Sequence, residues 1–225
     1  MKKITPLQVL AIATILLFLL PIQASLDFKI DIALVVLGYI AIFLIARFLH
    51  VSKSELGVES KQLKAGILPA FIFALIIFVV LGTAFLIQSD LFKDSRYDQP
   101  LTEMLIYALI ALPLRTVLLE ELLFRGLILG YSQKHKSFLH GAIVSSILFG
   151  LWHILPSFGI KTTALPSSLR DYQQPILILT IVLATFIGGL ILSWLRKRYD
   201  SLLVPIVVHW AINGSAMFFA YLAWK

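Results

Sequence analysis

Seven apolar runs, each about as long as a membrane is thick, constrain the fold more than any other feature of this sequence. A transmembrane helix needs about 20 mostly apolar residues. The runs lie at residues 7–26, 30–49, 65–87, 103–131, 138–156, 175–195 and 201–223. Hydrophobic residues form 60% of the chain and charged residues 14%, whereas soluble domains have about 45–50% and about 25%. The sequence therefore predicts an all-α, polytopic membrane helix bundle in which residues 1–225 form a single transmembrane domain.

Two of these runs leave the number of helices open between about seven and eight. The fourth is too long for one perpendicular crossing, and Pro113 within it predicts a kink or a division into two segments. The first follows Lys2 and Lys3 and also resembles a secretory signal peptide. We expect it to be an uncleaved span.

The basic residues between the runs predict the orientation. With the N-terminus inside, eleven Lys and Arg residues fall in inner segments and six in outer segments. Cytoplasmic loops carry the excess of Lys and Arg, so we expect a cytoplasmic N-terminus. The net charge of +7 is then explained by membrane anchoring, with lipid as a partner and no nucleic acid. The small size and the lack of targeting signals favour a bacterial cell membrane.

Several catalytic classes are excluded by missing residues. The chain has no cysteine, which rules out disulfides, a cysteine nucleophile and cysteine-ligated metals. No serine lies in a Gly-x-Ser-x-Gly context, and no His-Glu-x-x-His zinc signature is present. A covalent nucleophile is therefore not expected.

The ionisable residues inside the spans are few, and each costs at least about 2.5–3.5 kcal/mol in hydrocarbon. They are Arg115, Glu120, Glu121, Arg125, His153 and His209. Glu121 and Arg125 are four residues apart, so they share a helix face and can neutralise each other. Glu120 is turned about 100° from Glu121, which predicts that its carboxylate is available for chemistry. The alternative is that all three form a buried salt bridge joining helices.

Two histidines extend this group to later helices. His153 ends the fifth run, and His209 shares a helix face with Asn213, four residues on. The alternatives are an interfacial histidine at 153 and a helix-joining polar pair at 209 and 213. Two histidines and a carboxylate can hold a water, directly or through a metal, and deprotonate it for attack on a carbonyl. The remaining histidines, at the ends of runs or in loops, are expected to be solvated: His50, His135 and His140.

The order of these residues resembles the three motifs of the CPBP intramembrane proteases. This is the Abi family, which includes type II CAAX prenyl endopeptidases and bacteriocin-processing or immunity proteins. The matching residues are Glu120-Glu121-x-x-x-Arg125, Phe149-x-x-x-His153 and His209-x-x-x-Asn213. The resemblance covers about residues 100–215, which would be the catalytic core.

The resemblance implies an intramembrane endopeptidase with a membrane-embedded polar cavity. Glu120 would be the base that activates water, His153 and His209 would position that water or bind a metal, and Asn213 would support the oxyanion. Glu121 and Arg125 would support the site. Whether a divalent metal such as zinc is bound, with Glu120, His153 and His209 as ligands, is left open. The substrate would be a small peptide or a membrane protein. The alternatives are a non-catalytic immunity or binding protein that keeps the motifs, and a transporter with a proton relay.

Overall fold

The computed structural model describes residues 28–158 and 173–225. The run at 7–26, with its signal-peptide alternative, lies outside the described residues. Within them the chain forms helices and short connections, with no strand. The helices are α1 Phe28–Phe48, α2 Lys53–Leu56, α3 Ser60–Ile87, α4 Leu101–His135, α5 Phe138–Trp152, α6 Ile154–Ser157, α7 Gln173–Tyr199 and α8 Leu203–Leu222.

Five helical stretches of the described chain are long and apolar enough to cross a membrane. They are Lys53–Ile87, Leu101–His135, Phe138–Ser157, Gln173–Tyr199 and Leu203–Leu222, and a shorter apolar stretch, Ile32–Phe48, lies within α1. Large apolar side chains such as Phe43, Leu86 and Leu179 are exposed on these helices, as expected where lipid is the solvent. The all-α membrane fold is thus confirmed, while the number of seven to eight helices is not.

Helix α4 is continuous through Pro113, so of the two alternatives at this proline, a kink or a division, the division does not occur. The helix contains three π-helical stretches, Tyr107–Ala111, Pro113–Val117 and Leu122–Ile128. Proline lacks the N–H that an α-helix uses to bond the residue four positions back. Here Pro113 begins a π-helical stretch, where the hydrogen-bond register is already changed. The change of register accommodates the proline without ending the helix.

The described residues form two compact units. The first unit holds the described part of Met1–Leu56 together with Leu123–Trp194. Its helices approach closely at glycines: a Cβ at Gly130 would lie 2.6 Å from the backbone oxygen of Glu55, and one at Gly150 would lie 2.9 Å from that of Val182. Small residues of this kind let transmembrane helices pack backbone to backbone.

The second unit holds Gly57–Leu122 and Leu195–Lys225. Its core is built from the first part of α4 and from α8, with Met104, Val117 and Met217 buried together. Helix α3 packs on α8 through aromatic rings, including Phe78 and Phe219 at 5.3 Å between centroids. These contacts place α8 against the stretch of α4 that carries the two glutamates.

Candidate active site

The two glutamates lie in a single α-helical turn of α4, Leu118–Glu121, between two π-helical stretches. Glu120 is 4% exposed and Glu121 is fully buried. Changes to π-helical register are frequent at functional sites, because they redirect side chains without ending a helix. The local structure therefore presents two carboxylates from consecutive positions inside the second unit.

Both carboxylates are near the imidazole of His209, which α8 supplies to the same unit. The Nδ1 atom of His209 lies 2.9 Å from Oε1 of Glu121, and its Nε2 atom lies 3.9 Å from Oε2 of Glu120. His209 is 6% exposed. The ring thus has one glutamate beside each of its nitrogens.

The hydrogen bond to Glu121 sets the tautomer of His209. A carboxylate can only accept, so the hydrogen is assigned to Nδ1, which donates to Glu121. In a neutral imidazole the other nitrogen then carries a lone pair. That nitrogen, Nε2, is the one near Glu120. Glu121 therefore orients the histidine, as carboxylates orient the histidines of other hydrolytic sites.

The gap between Glu120 and His209 suits a water molecule. Both facing atoms, Oε2 and Nε2, are acceptors, and they are 3.9 Å apart. A water oxygen displaced from the line that joins them can donate one hydrogen to each at about 2.8 Å. Such a water keeps a lone pair for attack on a carbonyl carbon, and Glu120 can take its proton.

Helix α8 is fixed on α4 by a contact that the sequence did not indicate. The indole Nε1 of Trp210 donates to the backbone oxygen of Ala108 at 2.8 Å, within the first π-helical stretch. Trp210 is half-buried, and an indole N–H shielded from water usually finds an acceptor, which was the available signal. The next residue back is His209, so this bond also sets the rotation of the helix that carries the imidazole. Asn213, one turn further along, is half-buried.

The second unit also contains a cavity of about 300 Å³ between α3, α4 and α8. Its lining is almost wholly apolar and includes Phe78, Trp210 and Phe218. Glu120 and His209 are not among its lining residues. This cavity is therefore different in character from the polar cavity that the motif resemblance implies.

The first unit contains Arg125 and His153. Arg125 is fully buried, and its Cζ lies 4.0 Å from the centre of the Phe149 ring. His153 is half-buried where α5 ends. Its Nδ1 donates to the backbone oxygen of Phe149 at 2.8 Å, since a carbonyl can only accept. The Nε2 of His153 is thus also left with a lone pair.

Comparison with known protein families gives one match. The family model of the type II CAAX prenyl endopeptidases, Rce1-like, matches residues 102–215, just over half of the chain. The chain belongs to the Rce1-like family. Searches of the curated proteins and of the solved structures found no match. The resemblance to the CPBP proteases is confirmed, and the chain is an integral membrane protein and, at the level of the family, an intramembrane protease of the CAAX type.

The Rce1-like region contains all the residues that the motifs predicted, and the structure brings three of them together. Glu120, Glu121 and His209 form one buried group in the second unit. Arg125 and His153 belong to the first unit, and the convergence of His153 with Glu120 and His209 stays a prediction. The solvated histidines of the sequence analysis, at positions 50, 135 and 140, are exposed as expected.

Glu121 has a partner that helical spacing did not indicate. The structure gives its Oε1 a hydrogen bond from His209, and the pairing of Glu121 with Arg125 stays a prediction. Spacing along one helix cannot reveal a partner 88 positions away in the sequence. The interpretation of Glu121 as mainly a counter-charge is therefore incomplete, because it also holds the imidazole.

The described residues of this Rce1-like chain form no cluster of metal ligands. Across residues 28–158 and 173–225, no group of three or more His, Cys, Asp or Glu side chains is placed to hold a metal ion. Glu120 and His209 belong to the second unit and His153 to the first, so a metal site with these three ligands stays a hypothesis. The chemistry below is written for the side chains and water.

Proposed function

We propose that this protein hydrolyses a peptide bond of a membrane-associated peptide or membrane protein, with water activated by Glu120. The observation that carries the proposal is the buried pair formed by Oε2 of Glu120 and Nε2 of His209, 3.9 Å apart, with Glu121 bonded to the other ring nitrogen. Membership of the Rce1-like family supports the same class of reaction.

In this reaction Glu120 first takes a proton and later returns it. Water held between Glu120 and His209 attacks the carbonyl carbon, and its proton passes to the Glu120 carboxylate. The carbonyl oxygen becomes an oxyanion, which accepts a hydrogen bond from the amide of Asn213. Glu120 then returns the proton to the nitrogen as the carbon–nitrogen bond breaks. The products are a carboxylic acid and an amine, with no acyl-enzyme.

Burial keeps competing water away from Glu120 in this scheme. The carboxylate is 4% exposed, so few waters compete for its lone pairs, and electrostatic interactions act in a low dielectric. His209 holds the water's second hydrogen and needs no proton of its own at Nε2. For His153 the proposal keeps the role that the motif resemblance implies, a second imidazole that positions the water.

The apolar helices and the basic residues at their ends support a location and a set of partners. The protein resides in a bacterial cell membrane with its N-terminus in the cytoplasm. Arg196, Lys197 and Arg198, in the last turn of α7, support this orientation. Its partners are lipids and a peptide or membrane-protein substrate, with no nucleic acid.

The test compares three purified proteins in detergent: wild type, Glu120→Gln and Glu103→Gln. Glu103 lies on the same helix but is exposed, so it is the matched control. The probes are a quenched fluorogenic peptide with a farnesylated CAAX terminus and an unprenylated, membrane-anchored peptide. We expect cleavage to fall by about 10²–10⁴-fold in Glu120→Gln only, because general-base catalysis contributes about that factor. Thermal melting should be alike in all three.

The result that contradicts the assignment is a folded Glu120→Gln protein that cleaves as fast as wild type. Loss of melting temperature in Glu120→Gln, with activity per folded molecule unchanged, would instead make the residue structural. A protein that binds the peptides but leaves them intact would favour the non-catalytic, immunity-type alternative.

A further inference from the structure

The guanidinium of Arg125 lies in a narrow slot within the first unit. Its Cζ is 4.0 Å from the centre of the Phe149 ring. Its Nη2 lies against Gly189 of α7, where an added Cβ would be 3.1 Å from that nitrogen and 2.9 Å from Oγ of Ser146. We call Phe149, Ser146 and Gly189 the arginine slot. Only a residue without a side chain at position 189 leaves the space that the guanidinium uses.

The ring face in the slot is suited to a cation. A guanidinium within about 6 Å of an aromatic centroid is attracted by the ring quadrupole, most strongly when both partners are desolvated. Arg125 is fully buried and Phe149 is 3% exposed. Phe124 lies further from the guanidinium, at 5.9 Å, and packs on Phe149 with 5.2 Å between centroids. Phe149 is therefore the main aromatic contact of this buried charge.

The same phenylalanine contacts His153. The two rings are 4.6 Å apart between centroids and inclined at 74°. The backbone oxygen of Phe149 also accepts the Nδ1 hydrogen of His153. One residue thus touches the buried cation with its ring face and holds the imidazole through both its ring and its backbone.

We propose that Phe149 is a positioning residue that couples Arg125 to His153, with Gly189 keeping the slot open. Attraction between the guanidinium and the ring fixes the plane of the ring, and the ring fixes the imidazole. As far as catalysis is concerned, this inference rests on the proposed function. The contact of Phe149 with Arg125 differs from ordinary core packing because it depends on the charge distribution of the ring and not only on the shape of the ring.

The experiment replaces Phe149 with mono-, tri- and pentafluorophenylalanine. Fluorine withdraws electron density from the ring face while nearly preserving its shape, so the attraction to a cation weakens in steps. We expect kcat on the peptide probes to fall in the same order, by about tenfold to thirtyfold for the full series, with KM within about twofold. The melting temperature should fall in the same order. The same series at Phe71, a membrane-facing ring on α3 that is 66% exposed, should change neither quantity.

The neighbouring glycines of α7 give an independent pair of variants. Gly189→Ala places a methyl group in the slot, whereas a Cβ at Gly188 meets nothing within 4 Å. We expect Gly189→Ala to lower kcat and the melting temperature and Gly188→Ala to leave both at wild-type values. If the two variants have the same kcat and melting temperature, Gly189 does not keep the arginine slot open.

Further outcomes separate the inference from the proposed function. No trend with fluorination, or the same melting trend in an Arg125→Met background, would overturn the contact between ring and cation. A falling melting temperature with constant kcat would overturn the positioning role. If the wild-type protein cleaves no probe, the proposed function fails, while the melting series and its dependence on Arg125 still decide whether the slot exists.

Discussion

The two histidines of the motifs reach the same chemical state by different means. In the second unit, the Nδ1 of His209 donates to a side chain, Oε1 of Glu121, at 2.9 Å. In the first unit, the Nδ1 of His153 donates to the backbone oxygen of Phe149 at 2.8 Å. Both acceptors leave Nε2 with the lone pair. One ring is oriented by a residue far away in the sequence, and the other by its own helix.

This difference predicts that the two histidines respond differently to substitutions around them. A carboxylate can be replaced by an amide of the same shape, so the tautomer of His209 depends on one side chain. A backbone carbonyl cannot be removed by substitution, so His153 keeps its tautomer and responds only to changes that move α5 or the Phe149 ring. The comparison is best tested by variants that act on one histidine at a time.

The largest effect is expected from Glu121→Gln. An amide can also donate, and by donating to His209 it would favour the tautomer with hydrogen on Nε2, which cannot accept from the water. We expect kcat to fall by about a hundredfold or more and KM to change little. Steady-state cleavage of the farnesylated probe and thermal melting, measured on the same samples, check this.

The control for that variant is Glu121→Asp, which keeps the charge but shortens the reach to His209. It should recover part of the kcat lost by Glu121→Gln, since a carboxylate can only accept and so keeps the hydrogen of His209 on Nδ1. If Glu121→Gln turns over at the wild-type rate, His209 is not oriented by this bond. The two histidines would then not be comparable.

An intermediate effect is expected where α5 approaches α7. Gly150→Ala introduces a methyl group 2.9 Å from the backbone oxygen of Val182, which cannot rotate away. Overpacking of this kind costs about 1–3 kcal/mol, so the melting temperature should fall. Because His153 follows three residues later, activity should fall as well. Gly188→Ala, which meets nothing within 4 Å, is again the control. Normal activity in a destabilised Gly150→Ala protein would show that catalysis does not depend on how α5 places His153.

The sequence predicted the fold well because each transmembrane helix has to satisfy its own backbone in lipid. The predicted run 201–223 corresponds to Leu203–Leu222 and 30–49 to Phe28–Phe48. The sequence could not decide between a kink and a division at Pro113, since hydropathy does not report hydrogen-bond register. The structure shows no division there, because a π-helical stretch can contain a proline.

The candidate site was predictable in its members, whereas the contacts that join its helices were not. Ionisable residues in apolar runs stand out because their burial is costly, so Glu120, Glu121 and His209 could be found from their positions in the sequence. The bond between Glu121 and His209 joins α4 to α8, and the contact of Arg125 with Phe149 joins α4 to α5. Helical spacing orders residues within one helix only, so neither contact could be derived from it.

The smallest effect is expected outside the membrane, where the loop between α3 and α4 carries an ion pair that contrasts with the buried carboxylate of Glu121. Nη2 of Arg96 donates to Oδ2 of Asp94 at 2.6 Å. This bond holds the pKa of Asp94 below its ordinary value of 3.8, although partial burial opposes the shift. A group whose pKa is lowered by folding stabilises the protein above its unfolded pKa, and this contribution is lost as the pH falls through the folded value.

We expect Asp94→Asn to lower the melting temperature slightly, since pairs at the surface contribute about 0–1 kcal/mol. The difference from wild type should be constant from neutral pH to about pH 5 and disappear below 3.8. Salt should reduce it, whereas the loss of activity in Glu121→Gln should not respond to salt, because a buried pair is screened much less. Melting curves of wild type and Asp94→Asn across pH and ionic strength check this. A difference in melting temperature that persists in high salt would show that the Asp94 pair is shielded from solvent ions, like the buried group of Glu121.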